Sequence, residues 1–281
     1  MKIRLGRVAR TFLQDRWAIA GAILLLAIVA LAVLASVLTG NDPFTIVGEP
    51  NEPPFGGFLL GTDSLGRSIA AGIAHGARVS LAIGLITTLI STTLGIVIGG
   101  IAGYFGGWID DVLMRLTEFF QTVPAMLFAI VVVAILQPSI VTEIGAIALV
   151  SWAVLARLAR AEFMRLRNRE FVIACVAMGM KSGRIMLLQI LPNALSAIVV
   201  TASVTVATSI LLEAGLSFLG LGDPNVMSWG LMIGSGRTEL RTAWWISGLP
   251  GLALLLTVLA INLIGDGLNE AFNPRNAGHQ P

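Results

Sequence analysis

The chain has 281 residues, 56% of them hydrophobic and only 12% charged, with a formal net charge of +2. Soluble domains carry about 25% charged residues, so this composition excludes an ordinary water-soluble enzyme and a disordered chain alike. So small a positive excess also excludes most nucleic-acid binders. One cysteine, Cys175, and two histidines, His75 and His279, exclude an internal disulfide and a cysteine metal cluster, and leave too few histidines for a His-based site.

In chain order, residues 1–16 hold Lys2, Arg4, Arg7, Arg10 and Arg16 ahead of an uncharged apolar run, 17–38. A bilayer core needs about 20 apolar residues in a helix. The run is too long, and its flank too poor in small cleavage-type residues, for a removed signal peptide, so it reads as a retained span. Residues 39–78 form a Pro- and Gly-rich segment that includes Gly61-Thr62-Asp63-Ser64-Leu65-Gly66-Arg67. Asp63 is placed to cap a helix starting near Ser64, and a re-entrant helix held by Asp63, Arg67 and Arg78 is expected there. Residues 79–104 are a second span. Gly95, Gly99, Gly100 and Gly103 give it the small-residue spacing that lets helices approach closely.

Residues 119–137 are a third span, with Pro124 inside it. Proline frees a carbonyl and kinks a helix in lipid. Such a kink could line a pathway or serve packing alone. Residues 144–156 are short for a span and become long enough if Arg157 and Arg160 snorkel to the interface. The loop 162–192 follows. Phe171, Val172, Cys175, Val176 and Met178 recur at near-helical spacing, which predicts a short helix with one apolar stripe. Gly179 fits a left-handed helix stop, Ser182 fits a cap on a second short helix, and Pro192 fits the first turn of the next span. The expectation is a helix–turn–helix too short to cross a membrane. An interfacial helix lying on anionic lipid is the alternative.

Residues 193–212 and 243–265 complete six spans, separated by a Gly-rich segment, 213–242, with Trp229 embedded. Trp229, Trp244 and Trp245 fit an interfacial aromatic belt. Glu118, Glu143, Glu213 and Asp266 sit near span ends, where interfacial placement avoids the cost of a charge at the bilayer centre. Glu213, just before the Gly-rich segment, is the acidic candidate for a pathway. If both termini are cytoplasmic, the inner segments hold fourteen of the 18 cations and the outer segments hold Arg67, Arg78, Arg237 and Arg241. The positive-inside rule therefore puts both ends inside, which requires an even number of spans. The chain divides into a cytoplasmic N-terminus (1–16), a first span with its outer segment (17–78), a five-span core (79–267) and a cytoplasmic C-terminus (268–281).

Ala174, Gly179 and Ile190-Leu191-Pro192 resemble the Glu-Ala-Ala-x-x-x-Gly…Leu-Pro loop of binding-protein-dependent ABC importer permeases, with Ile173 at the Glu position and Cys175 at the second Ala. Gly61–Arg67, Gly76-Ala77-Arg78-Val79-Ser80-Leu81, Glu213-Ala214-Gly215-Leu216-Ser217-Phe218-Leu219-Gly220-Leu221-Gly222, Ser228-Trp229-Gly230 and 256–268 resemble the dipeptide/oligopeptide/nickel branch, second (C-type) permease. Ser68 replaces that branch's Asp. The resemblance implies an all-α polytopic membrane protein of six transmembrane helices with the type I ABC importer fold, in a bacterial inner membrane. It implies a loop (Glu170, Ala174, Cys175, Gly179, Leu191, Pro192) that docks on an ATPase, with crosslinks from Cys175 reaching that subunit. Its partners would be a homologous second permease, two ABC ATPase subunits that bind ATP and Mg, and an extracytoplasmic substrate-binding protein. Asp63, Arg67 and Arg78 would be contacts for that protein, and Arg67 and Arg78 alternatively for a substrate carboxylate. Pro124 and Glu213 would serve the pathway or its gate. Peptides are the expected cargo, with nickel chelates, opines and glutathione as alternatives.

Two other classes compete. A membrane serine protease would need Ser217 paired with His75 as base, and nothing in the sequence joins them. An autonomous carrier or channel would work without ATPases, but carriers commonly have internal repeats and charged mid-span groups, and neither is visible. The chain binds no cofactor of its own on this reading: Lys181-Ser182 has Met180 and Cys175 where a P-loop needs glycines.

Overall fold

The computed structural model describes residues 10–40 and 42–272. Lys2, Arg4, Arg7, Asn41, Arg275 and His279 lie outside them. The described residues form helices joined by turns, with only isolated bridges at Ile46–Arg67 and Thr62–Ser68. Five helices are long and apolar enough to span a membrane, and a sixth crossing results if one sharply bent pair counts as a span.

The first helix, α1 (Arg16–Thr39), starts where Asp15 accepts a hydrogen bond from Trp17 N at 2.9 Å. Its Ile23, Leu26, Val33 and Val37 face outward. In water such a stripe would drive association, whereas lipid solvates it and leaves the satisfied helical backbone intact. Its small residues Ala18, Gly21, Ala32 and Ala35 are buried against α2 (Ile69–Phe105) and α9 (Trp245–Phe272).

Helix α2 begins ten residues before the expected start of the second span. Ser68, not Asp63, is its cap, accepting from Ala71 N at 3.3 Å. The extension carries His75 and Arg78 without stranding them. Arg78 donates to Ala32 O, to Val33 O at 2.8 Å and to Ser36 Oγ at 2.9 Å, all on α1, and His75 Nε2 lies 2.9 Å from Gly40 O.

The most extensive packing joins α2 to α5 (Ile140–Arg167). Glycine permits it: a Cβ on Gly95 would lie 2.6 Å from Leu155 Cβ, one on Gly99 would strike Ala156 O, and one on Gly103 would strike Arg160 O. Gly145, on α5, faces open space. Gly99→Val should therefore destabilise the folded subunit by about 3 kcal/mol or more, the upper range for overpacking against backbone that has no rotamer to yield. Gly145→Val, with open space for its side chain and a residue no worse than glycine in a helix, should be neutral or slightly stabilising. Thermal unfolding of the two variants in detergent checks the contrast, and an unshifted Gly99→Val would reject close packing at this crossing.

The expected third span is broken. Helices α3 (Gly107–Thr122) and α4 (Ala125–Leu136) meet at 84°, with Pro124 at the N-cap of α4. Proline alone bends a helix less. The remainder comes from α3, whose Asp110 and Thr117 are buried while Trp108, Val112 and Leu116 are exposed. Asp110 holds α3 against α5 by accepting two bonds from Arg160, at 2.5 and 2.6 Å. Arg160 is thus an ion-pair partner rather than a free snorkelling cation. Helix α5 extends the short run 144–156 at both ends, and Ser139 caps it by accepting from Thr142 N at 3.2 Å.

Helix α6 (Glu170–Ala177) precedes a turn, and α7 runs continuously over Ser182–Phe218. The expected second short helix is therefore the start of the span itself. Lys181 rather than Ser182 occupies its cap position, with no side-chain bond. Met186–Ile190 form a π-helical stretch just ahead of Pro192. This widened turn absorbs the ring and the missing donor, and Asn193 Nδ2 donates to Gln189 O at 2.7 Å. The chain then forms α8 (Trp229–Ser235), seated against α2, α7 and α9, before α9.

Candidate functional site

The loop 162–192 becomes an elbow with two faces. Val172 and Cys175 point inward and pack with Phe163, Leu166, Ile185 and Ile190. Phe171, Ile173, Val176 and Met178 point outward and are exposed, as are Leu187 and Leu188 at the start of α7. The turn is a Schellman motif: Met180 N donates to Cys175 O at 3.1 Å and Gly179 N to Val176 O at 2.9 Å, with Gly179 at φ +73°. The left-handed stop expected at Gly179 is present. Glu170, Ala174, Gly179 and Pro192 are exposed, and Leu191 is half-buried. Cys175 is only 7% exposed and faces the bundle, so it positions the elbow instead of presenting a surface, and the crosslink expected from it is redirected to its neighbours.

Of the arginines at the elbow's base, Arg167 fastens it to α2 and Arg165 pairs within α5. Arg167 donates to Tyr104 O at the end of α2 at 2.7 Å, and Arg165 pairs with Glu162 at 2.6 Å.

At the opposite end of the bundle, the segment 42–68 folds as turns and bridges. No re-entrant helix forms there, because Asp63 Oδ1 accepts from Leu65 N and Arg67 N, each at 2.8 Å, and closes a tight turn. Arg67 lies over the Phe44 ring, 5.0 Å from its centroid. Arg78 is not beside it in this turn but is engaged with α1.

A buried polar cluster went unseen in the sequence. Glu143 and Glu213 are 1% and 0% exposed, enclosed by protein and not placed at an open interface. Ser80 donates to Glu213 Oε2 at 3.0 Å, and Ser217 donates to Glu213 Oε1 at 2.9 Å, with Glu143 Oε1 farther off at 3.4 Å. Trp229 N donates to Ser80 Oγ at 3.4 Å. Four elements, α2, α5, α7 and α8, thus meet on two carboxyl groups. Glu213 and Ser217 stand four residues apart on one helix face, which is the single signal the sequence held; Ser80 and Glu143 are joined only by the fold. Glu118 and Asp266 are exposed.

Trp229 and Trp245 are buried, not in a belt. Their Nε1 atoms donate to Ile73 O at 3.0 Å and Thr62 O at 3.2 Å, and of these three tryptophans Trp244 alone is exposed. Pro124 is exposed at its bend, and Met126, two residues on, lies against Gly215. His75 bonds to Gly40 O and Ser217 to carboxyl groups, so the Ser–His pair of a protease is not assembled.

Residues 95–278 match the family model described as the binding-protein-dependent transport system inner membrane component. Residues 4–54 match that of the N-terminal TM domain of oligopeptide transport permease C. Over 265 residues, 93% of this chain and 87% of the relative, it is 38% identical to the dipeptide transport system permease protein DppC of Alkalihalophilus pseudofirmus. It is 39% identical to the di/tripeptide transport system permease protein DppC of Pseudomonas aeruginosa, over 95% of this chain and 90% of the relative. It is 37% identical to the glutathione transport system permease protein GsiD of Pectobacterium atrosepticum, over 95% and 89%. In fold it is similar to a chain of the inward-facing MetNI methionine ABC transporter, with a TM-score of 0.59 and 15% identity over 69% of this chain and 93% of that one.

Proposed function

Because the chain belongs to the family of binding-protein-dependent transport system inner membrane components, we propose that it is the permease subunit of an ATP-driven importer of peptides. A homologous second permease completes the pathway, two ATPase subunits bind ATP and Mg, and an extracytoplasmic binding protein delivers cargo. The chain lies in the bacterial inner membrane with both termini cytoplasmic, the arrangement that puts fourteen of its 18 cations inside. Its own residues line and move; they make no covalent bonds.

One observation carries this reading: the elbow is apolar on both faces. A helix that merely rested on lipid would need one apolar face and one charged face. Here Val172 and Cys175 fix α6 to the bundle, while Phe171, Ile173, Val176 and Met178 form a second apolar surface with nothing on it. That surface suits the groove of an ATPase subunit. Nucleotide-driven motion of that subunit then displaces the elbow, and α7, continuous with it, carries the displacement toward the Glu213 cluster. The bundle acts as a two-state element that the nucleotide biases.

Crosslinking tests the elbow. In a Cys175→Ala background, Val176→Cys should crosslink to the ATPase subunit in the assembled complex, while native Cys175 should not. A Val176→Cys chain that labels only with lipid-soluble reagents would reject docking. Uptake by the permeases alone, without ATPases, would instead favour an autonomous carrier. The relative named as a glutathione permease supports a second cargo reading, a short peptide with an unusual linkage. A binding assay on the partner binding protein separates the two.

A further inference from the structure

Helix α3 carries three kinds of side chain on three sides. Asp110 and Thr117 are buried against the bundle, and Phe120 packs edge-on against Trp152 of α5, with ring centroids 5.5 Å apart. Trp108, Val112, Leu116 and Phe119 form an exposed apolar stripe. Beside it, Asp111, Arg115, Glu118 and Thr122 recur every three or four residues and are exposed as well. At 3.6 residues per turn these four share one side of the helix, away from the buried one.

Lipid cannot accommodate this polar stripe at its depth. Asp110 is held by Arg160 toward the elbow end of α5, whereas Trp152 lies near the middle of α5. Helix α3 therefore rises from the elbow end to mid-bundle, and Glu118 and Thr122, on either side of Phe120 in sequence, reach that level. There the chain also leaves the helix: Val123 and Pro124 have extended backbone, and Thr122, Val123 and Pro124 are exposed. Irregular backbone at membrane depth is tolerated only inside protein or along a water-filled cavity. An intramembrane carboxylate faces the bundle interior or water, and glutamate is too short to snorkel as lysine and arginine do. Asp111, Arg115 and Glu118 alternate in sign at pairing distance along the helix, yet among the described residues no ion pair joins them. A packed protein face would have to match each of the three charges separately. Water solvates all three. Gln121, just before Thr122, adds an Nε2 that is enclosed without an acceptor.

We propose that this side of α3 walls an aqueous passage in the elbow half of the bundle, and that Glu118 holds the free ammonium group of the cargo at mid-depth. The proposal rests on the importer reading and deepens it. Charge selects the group: the Glu118 carboxylate and the carbonyls at the C-terminal end of α3 both favour a cation. Arg115, nearly one turn closer to the elbow, is placed for the cargo's carboxylate. Peptides and glutathione each bear both groups.

The test uses the whole importer complex in nanodiscs without nucleotide, in a Cys175→Ala background with cysteine-free partner subunits. A charged, water-soluble thiol reagent should label Asp111→Cys and Thr122→Cys at least tenfold faster than Val112→Cys and Phe119→Cys. L-Alanyl-L-alanine should slow labelling at Thr122→Cys, and its N-acetyl derivative should not. Glu118→Gln should abolish that protection, and Glu118→Asp should keep part of it. If Glu118→Gln does not assemble, the comparison of the two compounds at native Glu118 decides alone. Labelling of all four positions only by a lipid-soluble reagent puts the stripe in lipid and overturns the proposal. Slow labelling of all four by either reagent gives the face to the second permease and overturns it equally. Fast labelling at Thr122→Cys that neither compound slows, that both slow alike, or that stays protected in Glu118→Gln shows a wet wall without an ammonium site, and overturns it too. A wild-type complex that imports no cargo with its binding protein and ATP overturns the importer reading, whatever the labelling pattern.

Discussion

Gly179→Val should abolish coupling while sparing membrane insertion. The residue sits at φ +73° with nothing within 4 Å of a Cβ placed on it, so the penalty is conformational and not steric crowding from neighbours. A non-glycine residue in the left-handed region costs about 1–2 kcal/mol, and a β-branched one lies at the upper end. The chain can escape that strain by opening the turn, which forfeits the Met180–Cys175 and Gly179–Val176 bonds. A change of that size shifts the balance between formed and opened elbow by roughly 5- to 30-fold. The outward apolar surface would then no longer be held at a fixed angle to α7. In proteoliposomes, cargo uptake should fall at least tenfold, and loaded binding protein should no longer stimulate ATP hydrolysis. Gly183→Ala is the control: it lies in the same elbow, has open space and is not in the left-handed region, so it should retain coupling. Wild-type coupling in Gly179→Val would mean the turn is not the transmitting element.

How much of this was legible follows from the range of the interactions. The elbow's turn could be read because its determinants, Gly179 and the apolar positions before it, are consecutive. Its two-faced character could not, since a run of Phe171, Val172, Ile173, Cys175, Val176 and Met178 does not say which members meet the bundle. The α2–α5 contact was readable as glycine spacing, although the partner helix was not. Span ends were the weakest part. The second span was read from the uncharged run 79–104, yet its helix reaches back through His75 and Arg78, because α1 carbonyls satisfy Arg78 and Gly40 O satisfies His75. The break at Pro124 was expected as a kink. It became a right-angle turn because Asp110 and Arg160, 50 residues apart, dock α3 sideways on α5. The tryptophans misled for the same reason: a residue suited to a membrane interface is equally suited to a buried site with one carbonyl to accept its N–H.

Glu213→Leu should be the most damaging change in the half of the bundle away from the elbow, and Glu213→Gln should be mild. The side chain is 0% exposed and accepts from hydroxyls on two helices, Ser80 of α2 and Ser217 of its own α7. Leucine leaves both hydroxyls without that acceptor, and each such loss costs about 1–3 kcal/mol in a buried setting. Glutamine offers one oxygen and one NH₂, and a serine hydroxyl can rotate to accept as well as donate, so the cluster can be re-satisfied. Expected destabilisation is therefore about 2–6 kcal/mol for leucine and under half that for glutamine, read as thermal unfolding of the purified complex. The functional consequence follows from α7. Ser182 and Glu213 are separated by roughly 45 Å of continuous helix at 1.5 Å per residue, so the elbow and the cluster are the two ends of one rod. If the cluster is where the rod grips α2, α5 and α8, then a Glu213→Gln complex that still folds should hydrolyse ATP yet import more slowly, its grip having been loosened without being lost. Equal uptake and equal stability in Glu213→Leu would show that the rod is held elsewhere, and that the buried carboxyl group has no part in transmitting the motion.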